Sequence, residues 1–187
     1  MRLFVAVNLP DTLRKAAWNS AAPLRDGRLP VKWVGVDALH LTLKFLGEVD
    51  AGRRAEVQDA VDAAASGTTQ FALPVLGFGA FPNPRRARVI WLGCDSVPEL
   101  ELLQHRVEQR MSDIGFPLEV RPFHPHLTLG RVRRDARPAS LAGLDDLLQR
   151  LQFQAQTVVK SVDLMQSELS RAGARYTRLH CAKLDSQ

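Results

Sequence analysis

Apolar and polar residues alternate with a period of two at 40–46 (HLTLKFL) and within 123–132, which is typical of half-buried β-strands. Further strands are predicted where short apolar runs are bounded by turn residues. These runs lie at 1–9, 31–34, 71–78, 88–93, 158–164 and 176–184, the last two flanking turn residues 171–173. Pro74 has no N–H to donate, so the run that contains it is expected at a sheet edge or next to a bulge.

Four segments instead repeat their apolar residues at the helical spacing of three to four. They lie at 11–24, 51–65, 97–114 and 139–151. Asp11 is expected to cap the first helix, because it follows Pro10 at the end of the first strand.

The tetrapeptide His-Leu-Thr-Leu occurs twice, at 40–43 and 126–129, about half the chain apart. Both copies lie in predicted strands with a helix downstream. We therefore predict an α+β fold of two pseudo-symmetric lobes, each an antiparallel sheet with helices on its outer face and an active-site cleft between them. Residues 1–187 would form a single bilobal domain.

Side chains two apart in a strand share a face. His40, Thr42 and Lys44 should therefore face one way, as should His126 and Thr128. The leucines between them would face the core. If a pseudo-twofold axis relates the lobes, two imidazoles and two hydroxyls converge on one point.

Two imidazoles and two hydroxyls at one point are the groups needed to cleave a phosphodiester. One imidazole can donate a proton while the other accepts one, and hydroxyls and a cation stabilise the charge that develops on phosphorus. This scheme needs no metal, because the leaving oxygen is protonated rather than coordinated.

The charge of the chain is compatible with a polyanionic partner. The chain has 25 Lys and Arg against 20 Asp and Glu, a net charge of +5, with basic clusters at 85–88 and 131–134. Four aromatic residues are candidates for stacking on a terminal base: Trp33, Phe45, Phe81 and Phe123. Parity assigns Phe45 to the core with the leucines.

Other chemistries find less support in the sequence. Cys94 and Cys181 lack a CxxC motif and are expected to be reduced, buried thiols. His105 and His180 are expected to have structural or surface roles. His124 and His126 alternate in a strand, but no further ligand at suitable spacing supports a metal site. No apolar run is long enough to cross a bilayer, and a cytoplasmic location is expected.

The two motifs and their flanks resemble the 2H phosphoesterase superfamily, and within it the RNA 2′,3′-cyclic phosphodiesterases, also described as 2′–5′ RNA ligases. The resemblance spans nearly the whole chain. It is carried by RLFVAV at 2–7, Trp33-Val34, HLTLKFLG at 40–47, FPNPRR at 81–86, VIW at 89–91, PHLTLGR at 125–131 and the tail from Ser167 through Tyr176.

The resemblance implies hydrolysis of a terminal RNA 2′,3′-cyclic phosphate to a 2′-phosphate without a cofactor or metal. It assigns His40 as proton donor, His126 as proton acceptor, and Thr42 and Thr128 as phosphate ligands. The resemblance also implies Arg131 as a further phosphate ligand, although its parity would turn it away unless a strand end or bulge re-aims it. RNA ends, including tRNA fragments, are the implied partners of a monomeric protein, and reversible 2′–5′ ligation is known in the family.

Two alternatives stay open within this interpretation. The enzyme could act on small cyclic nucleotides, or the fold could bind RNA ends without turnover. A scaffold that binds other proteins is a third class, and it predicts no effect of changing the histidines.

Overall fold

Nine strands in a continuous antiparallel sheet form the centre of the computed structural model, which describes residues 1–170 and 173–186. The strands are β1 (Arg2–Asn8), β2 (Val31–Trp33), β3 (His40–Glu48), β4 (Phe71–Phe81), β5 (Val89–Cys94), β6 (His126–Val132), β7 (Gln154–Val159), β8 (Ser161–Ser170) and β9 (Gly173–Lys183).

The strand order is β7-β4-β5-β6-β3-β1-β8-β9, and β2 pairs with the end of β6. One lobe contains β3, β1, β8 and β9, and the other contains β6, β5, β4 and β7. The predicted α+β fold with two antiparallel lobes is confirmed. The structure adds that the lobes join through β3 and β6 into one open sheet, and that each lobe draws its strands from distant parts of the chain.

Five α-helices are present in the described part of the chain: α1 (Asp11–Ser20), α2 (Ala22–Asp26), α3 (Arg54–Ala65), α4 (Pro98–Asp113) and α5 (Leu144–Arg150). Helices α3 and α4 pack on the lobe of β3, and α5 packs on β4 of the other lobe. One face of the sheet is thereby covered, and the buried leucines of the motif strands lie in the main core beneath it.

Two predicted helices are interrupted. Helix 11–24 breaks at Ala21, since Pro23 lies in the first turn of α2 and cannot donate the backbone hydrogen bond that would continue α1. Helix 139–151 breaks at Gly143, whose φ of +79° is outside the helical region. The cap assigned to Asp11 was wrong: Pro10 is the N-cap, and Asp11 lies in the first turn, paired with Arg14.

Most strand positions match the pattern, although several bounds differ. The run 158–164 is split at Lys160 into β7 and β8, and β6 begins at His126 rather than at 123. Pro74 lies on an interior strand, because β4 pairs with both β5 and β7, and the adjacent register is irregular between Val75 and Phe78. Residues 171 and 172 of the predicted turn lie outside the described residues.

Within residues 1–170 and 173–186, no helix is long and apolar enough to span a membrane.

Candidate active site

The two motif strands are neighbours, and Leu41 of β3 pairs with Leu127 of β6. In antiparallel register, one step to either side places His40 beside Thr128 and Thr42 beside His126. Both leucines are fully buried in the main core, whereas the histidines and threonines are half-buried on the opposite face. We call that opposite side of the sheet the open face. It gathers all four polar motif residues, as the repeat predicts.

A β-bulge follows each motif at the same position. In the pairing of β1 with β3, Val5 is opposite Lys44 and Ala6 is opposite Thr42, so Leu43 is the extra residue. In the pairing of β5 with β6, Ile90 is opposite Gly130 and Trp91 is opposite Thr128, so Leu129 is the extra residue. Each bulge shifts the side-chain alternation by one residue.

The shift exchanges the faces of the residues that follow. Phe45 is 63% exposed, and Arg131 is exposed, while their neighbours Lys44 and Gly130 are buried. Phe45 was expected in the core from parity, and that expectation was wrong because the bulge at Leu43 reverses the alternation. The expected bulge that re-aims Arg131 is present.

Lys44 was expected beside His40 on the polar face, and the same bulge places it on the other side of the sheet. Its Nζ lies 2.5 Å from Oε2 of Glu108 on α4 and donates to the Pro117 carbonyl at 2.8 Å. Gln104 Nε2 and the Glu119 amide also donate to the Glu108 carboxylate. The pair is a buried ionic link between β3 and α4, remote from the histidine face.

His40 is held by three contacts. Its Nδ1–H donates to the Ala38 carbonyl oxygen at 2.9 Å, and its ring lies 4.8 Å from Phe4 and 5.0 Å, edge on, from Tyr176. A carbonyl oxygen can only accept, so the Nδ1 atom carries the proton and the neutral ring presents the Nε2 lone pair.

His126 repeats the arrangement. Its Nδ1–H donates to the His124 carbonyl oxygen at 2.6 Å, and its ring lies 5.0 Å from Phe81 and 6.4 Å from Trp91. Trp91 in turn covers Gly79, where an added Cβ would lie 2.2 Å from the indole. Both imidazoles are thus fixed in the same tautomer by the carbonyl two residues earlier, each inside an aromatic cradle.

The pKa values of both imidazoles fall below the ordinary value of 6.5. Burial is the main cause of the fall in the pKa of His40 to about 4, and the positive charges of Arg131 and His126 add to it. Burial also leads the lowering of the pKa of His126, followed by the charges of Arg131 and His124. The free protein therefore presents two neutral rings at pH 7, and Arg131 is near enough to act on both.

The four aromatic residues considered for base stacking have different surroundings in the structure. Phe45 projects from the open face with its ring 6.0 Å from Phe4, and Phe81 supports His126. Trp33 and Phe123 pack against the main core. Trp33 also lies over Gly130, and a Cβ added to Gly130 would lie 2.7 Å from the indole. Gly130 occupies the position in the second motif strand that Lys44 occupies in the first, and this lack of space accounts for the glycine there.

The remaining candidate residues lie outside this arrangement. Cys94 is buried, but Cys181 is exposed, contrary to expectation, since it lies on the open face of the edge strand β9. His105 is exposed on α4, and His180 contacts Asp62 at 2.7 Å. In the described ranges, His, Cys, Asp and Glu side chains form no group of three or more that could hold a metal ion.

Sequence reasoning missed the supporting rings, Phe4 and Tyr176 around His40 and Trp91 beside His126. Their strands are adjacent to the motif strands only in the folded sheet, and no spacing along the chain signals those contacts.

The paired motif strands of this open sheet define a two-histidine phosphoesterase. The sequence profile of the 2′-5′ RNA ligase superfamily matches residues 13–171, and the chain belongs to this superfamily. A Methanothermobacter thermautotrophicus protein named RNA 2′,3′-cyclic phosphodiesterase is 35% identical over 184 residues, which cover 98% of this chain and 99% of that protein. An Archaeoglobus fulgidus protein of the same name is 38% identical over 135 residues, covering 72% and 74% of the two chains.

Solved structures show the same fold. A Thermus thermophilus protein superposes with a TM-score of 0.80 at 28% identity, covering 98% of each chain. Escherichia coli LigT complexed with 3′-AMP gives a TM-score of 0.75 at 29% identity, covering 98% of this chain and 97% of LigT. The resemblance stated from the motifs is confirmed.

Proposed function

We propose that the protein is an RNA 2′,3′-cyclic phosphodiesterase that opens a terminal cyclic phosphate to a 2′-phosphate. The observation that carries this proposal is the matched pair of imidazoles, His40 and His126, fixed in one tautomer on the open face beside two threonines and one arginine. The names of the relatives support the same activity.

In the hydrolysis, His126 Nε2 accepts a proton from a water molecule while the water oxygen forms a bond to phosphorus. The bond from phosphorus to the 3′ oxygen breaks, and His40 Nε2–H donates its proton to that oxygen. The product keeps its phosphate on the 2′ oxygen. The direction of proton transfer follows the family resemblance, because the two tetrapeptides are identical.

His40 must carry a second proton to act as the acid. Its pKa of about 4 leaves it neutral in the free protein at pH 7. An anionic phosphate at the site stabilises the imidazolium and raises that pKa, so substrate binding is coupled to proton uptake. The acid is then formed only when its substrate is present.

Thr42 and Thr128 donate hydrogen bonds to the non-bridging phosphate oxygens, each from beside the histidine of the other motif. Arg131 supplies a fixed positive charge and a fork of N–H donors for the charge that grows on phosphorus. Protonation of the leaving oxygen by His40 takes the place of metal coordination in this scheme.

RNA is the substrate class that this superfamily indicates. Phe45 offers the terminal base an exposed aromatic ring on the same face as the histidines. We further propose tRNA fragments as one source of cyclic ends, a monomer as the working form, and the cytoplasm as the location. Ligation through a 2′–5′ bond would be the same chemistry reversed, with a 5′ hydroxyl in place of water.

The decisive experiment identifies the product isomer. Purified protein with excess chelator is incubated with an RNA oligomer that ends in a 2′,3′-cyclic phosphate, and the product is analysed by chromatography against 2′- and 3′-phosphate standards. We expect the 2′-phosphate alone. Release of the 3′ isomer would overturn the assigned bond cleavage, and binding without product would favour an RNA-end-binding module.

Parallel assays on 2′,3′-cyclic mononucleotides test the alternative substrate class. A higher kcat/KM on mononucleotides than on oligomers would assign the protein to small cyclic nucleotides instead.

A further inference from the structure

A cationic groove opens beside Arg131, at the ends of β5 and β6 away from the histidines. It has a volume of about 480 Å³ and is lined by Arg88, Val89, Arg131, Val132 and Arg134. Arg131 thus belongs both to the surroundings of the histidines and to this groove.

No residue in the described part of the chain forms an ion pair with the arginines of the groove. This holds for Arg88, Arg131 and Arg134 over the ranges 1–170 and 173–186. By contrast, Arg53 and Arg121 each contact a neighbouring carboxylate. Three unpaired guanidinium groups along one groove repel each other, and an anionic ligand would remove that repulsion.

The register adds a fourth cation. Lys32 of β2 pairs with Arg131, and Val89 pairs with Arg131 from the other side. Lys32 is exposed. The positive charge therefore extends from Lys32 on β2 across β6 to Arg88, which immediately precedes β5, and exceeds what one terminal phosphate requires.

The two motif strands also carry different residues at one equivalent position, and this difference makes the two ends of the site chemically distinct. After its bulge the first motif presents Phe45, and after its bulge the second presents Arg131. An aromatic ring suits a base, and the arginine side suits phosphates. The nucleic acid should therefore place its terminal base toward Phe45 and its backbone toward Arg131.

We propose that this groove binds the phosphodiester backbone upstream of the cyclic end, with Arg88 and Arg134 as determinants of specificity for RNA chains over mononucleotides. The proposal rests on the proposed function. Arg88 and Arg134 hold internal phosphates and take no part in the chemistry at the terminal phosphate.

The test uses the double variant Arg88→Gln/Arg134→Gln, with Arg134→Gln alone as a milder form. Arg110→Gln is the matched control, because Arg110 is exposed on α4, on the covered side of the sheet. Thermal unfolding establishes that each variant is folded. For every protein, kcat/KM is measured on a cyclic-ended RNA pentamer and on 2′,3′-cyclic CMP over a range of salt concentrations.

We expect the double variant to lose at least about fivefold in kcat/KM on the pentamer and to stay within about twofold of wild type on cyclic CMP. The slope of log kcat/KM against log salt on the pentamer should become shallower by about 0.7 for each lost phosphate contact. Arg110→Gln should match wild type on both substrates.

The outcomes separate the two proposals. A wild-type protein that opens neither substrate contradicts the proposed function. If wild type opens both, three results each overturn the groove proposal: an unchanged pentamer rate in the double variant, an equal loss on both substrates, or the same pentamer loss in Arg110→Gln.

Discussion

Leu41 lies opposite Leu127 at the junction of β3 and β6, and this pair brings the four polar motif residues together. The two leucines are fully buried on the helix-covered side. The histidines and threonines are adjacent to these leucines in sequence, so their side chains lie on the opposite side of the sheet, the open face. The repeated tetrapeptide therefore determines where these side chains lie, in addition to carrying the chemistry that we propose for them.

The first prediction concerns the histidines themselves. His40→Ala and His126→Ala should each lower the rate of cyclic phosphate opening by at least about 10²-fold, because each removes a proton-transfer group. The measurement is kcat on a cyclic-ended RNA under saturating substrate. His105→Ala is the control, since His105 is exposed on α4. A folded His40 or His126 variant with wild-type kcat would refute the assigned roles.

The second prediction follows from the pKa of His40, which is about 4 in the folded protein and ordinarily 6.5. The unfolded chain takes up a proton on His40 at a higher pH than the folded protein does. The contribution of His40 to stability is therefore complete above pH 6.5 and is lost as the pH falls toward 4. Urea unfolding of wild type and His40→Asn at several pH values should show a smaller decline in the variant.

The same pKa can be observed directly. In a nitrogen-15 NMR titration, His40 should remain neutral at about pH 5.5 in the free protein, and addition of a 2′-phosphomononucleotide should raise its pKa. A free-protein pKa at the ordinary value for histidine, or no change on addition of the ligand, would contradict the coupling of substrate binding to proton uptake.

The third prediction separates the two residues that the bulges expose. Arg131→Ala should lower kcat, because the role that we propose for the arginine is to stabilise charge that develops during the reaction. Phe45→Ala should lower kcat/KM by about tenfold through lost base stacking, which is worth about 1–3 kcal/mol. Steady-state kinetics on a cyclic-ended oligomer distinguish the two effects. Phe45→Trp is the matched variant and should retain the wild-type rate, whereas equal losses in Phe45→Ala and Phe45→Trp would argue against stacking.

The fourth prediction concerns Lys44, whose side chain is 3% exposed, and Glu108, whose side chain is 9% exposed. Lys44→Met should destabilise the fold by about 3–5 kcal/mol, because it leaves the carboxylate of Glu108 buried without its cation. Lys44→Met/Glu108→Leu should recover most of that loss. Urea unfolding measures both variants.

Activity measurements complete that test. Per folded molecule, the double variant should open the cyclic phosphate as fast as wild type, since the pair lies on the far side of the sheet from the histidines. A large fall in kcat with the fold intact would show that Lys44 acts on the reaction after all.

The sequence was sufficient to find the motif strands, the α+β class and the four polar motif residues, because a period of two and a repeated tetrapeptide are local signals. The prediction was wrong for the residues after Leu43, because it assumed that the alternation of side chains continued unchanged beyond that residue. The bulge there has no residue-type signature, so Lys44 and Phe45 were assigned to each other's faces. A strand end or a bulge before Arg131 was considered only because parity turned that residue away from the site, and its position at Leu129 was not predicted.

Contacts between distant segments were also beyond sequence reasoning. Phe4 and Tyr176 reach His40 from β1 and β9, and their proximity depends on the strand order of the sheet. The break before α5 illustrates the same limit at short range, since Gly143 interrupts an otherwise helical pattern through its positive φ.

The adjacency of β3 and β6 has a consequence for how this kind of catalyst can change. Neighbouring strands are held about 4.7–4.9 Å apart by backbone hydrogen bonds. The spacing between the strands that carry the proposed proton donor and acceptor is therefore set by main-chain geometry. Peripheral loops and strand ends are free to diverge and select new substrates, while the reactive distance stays constant.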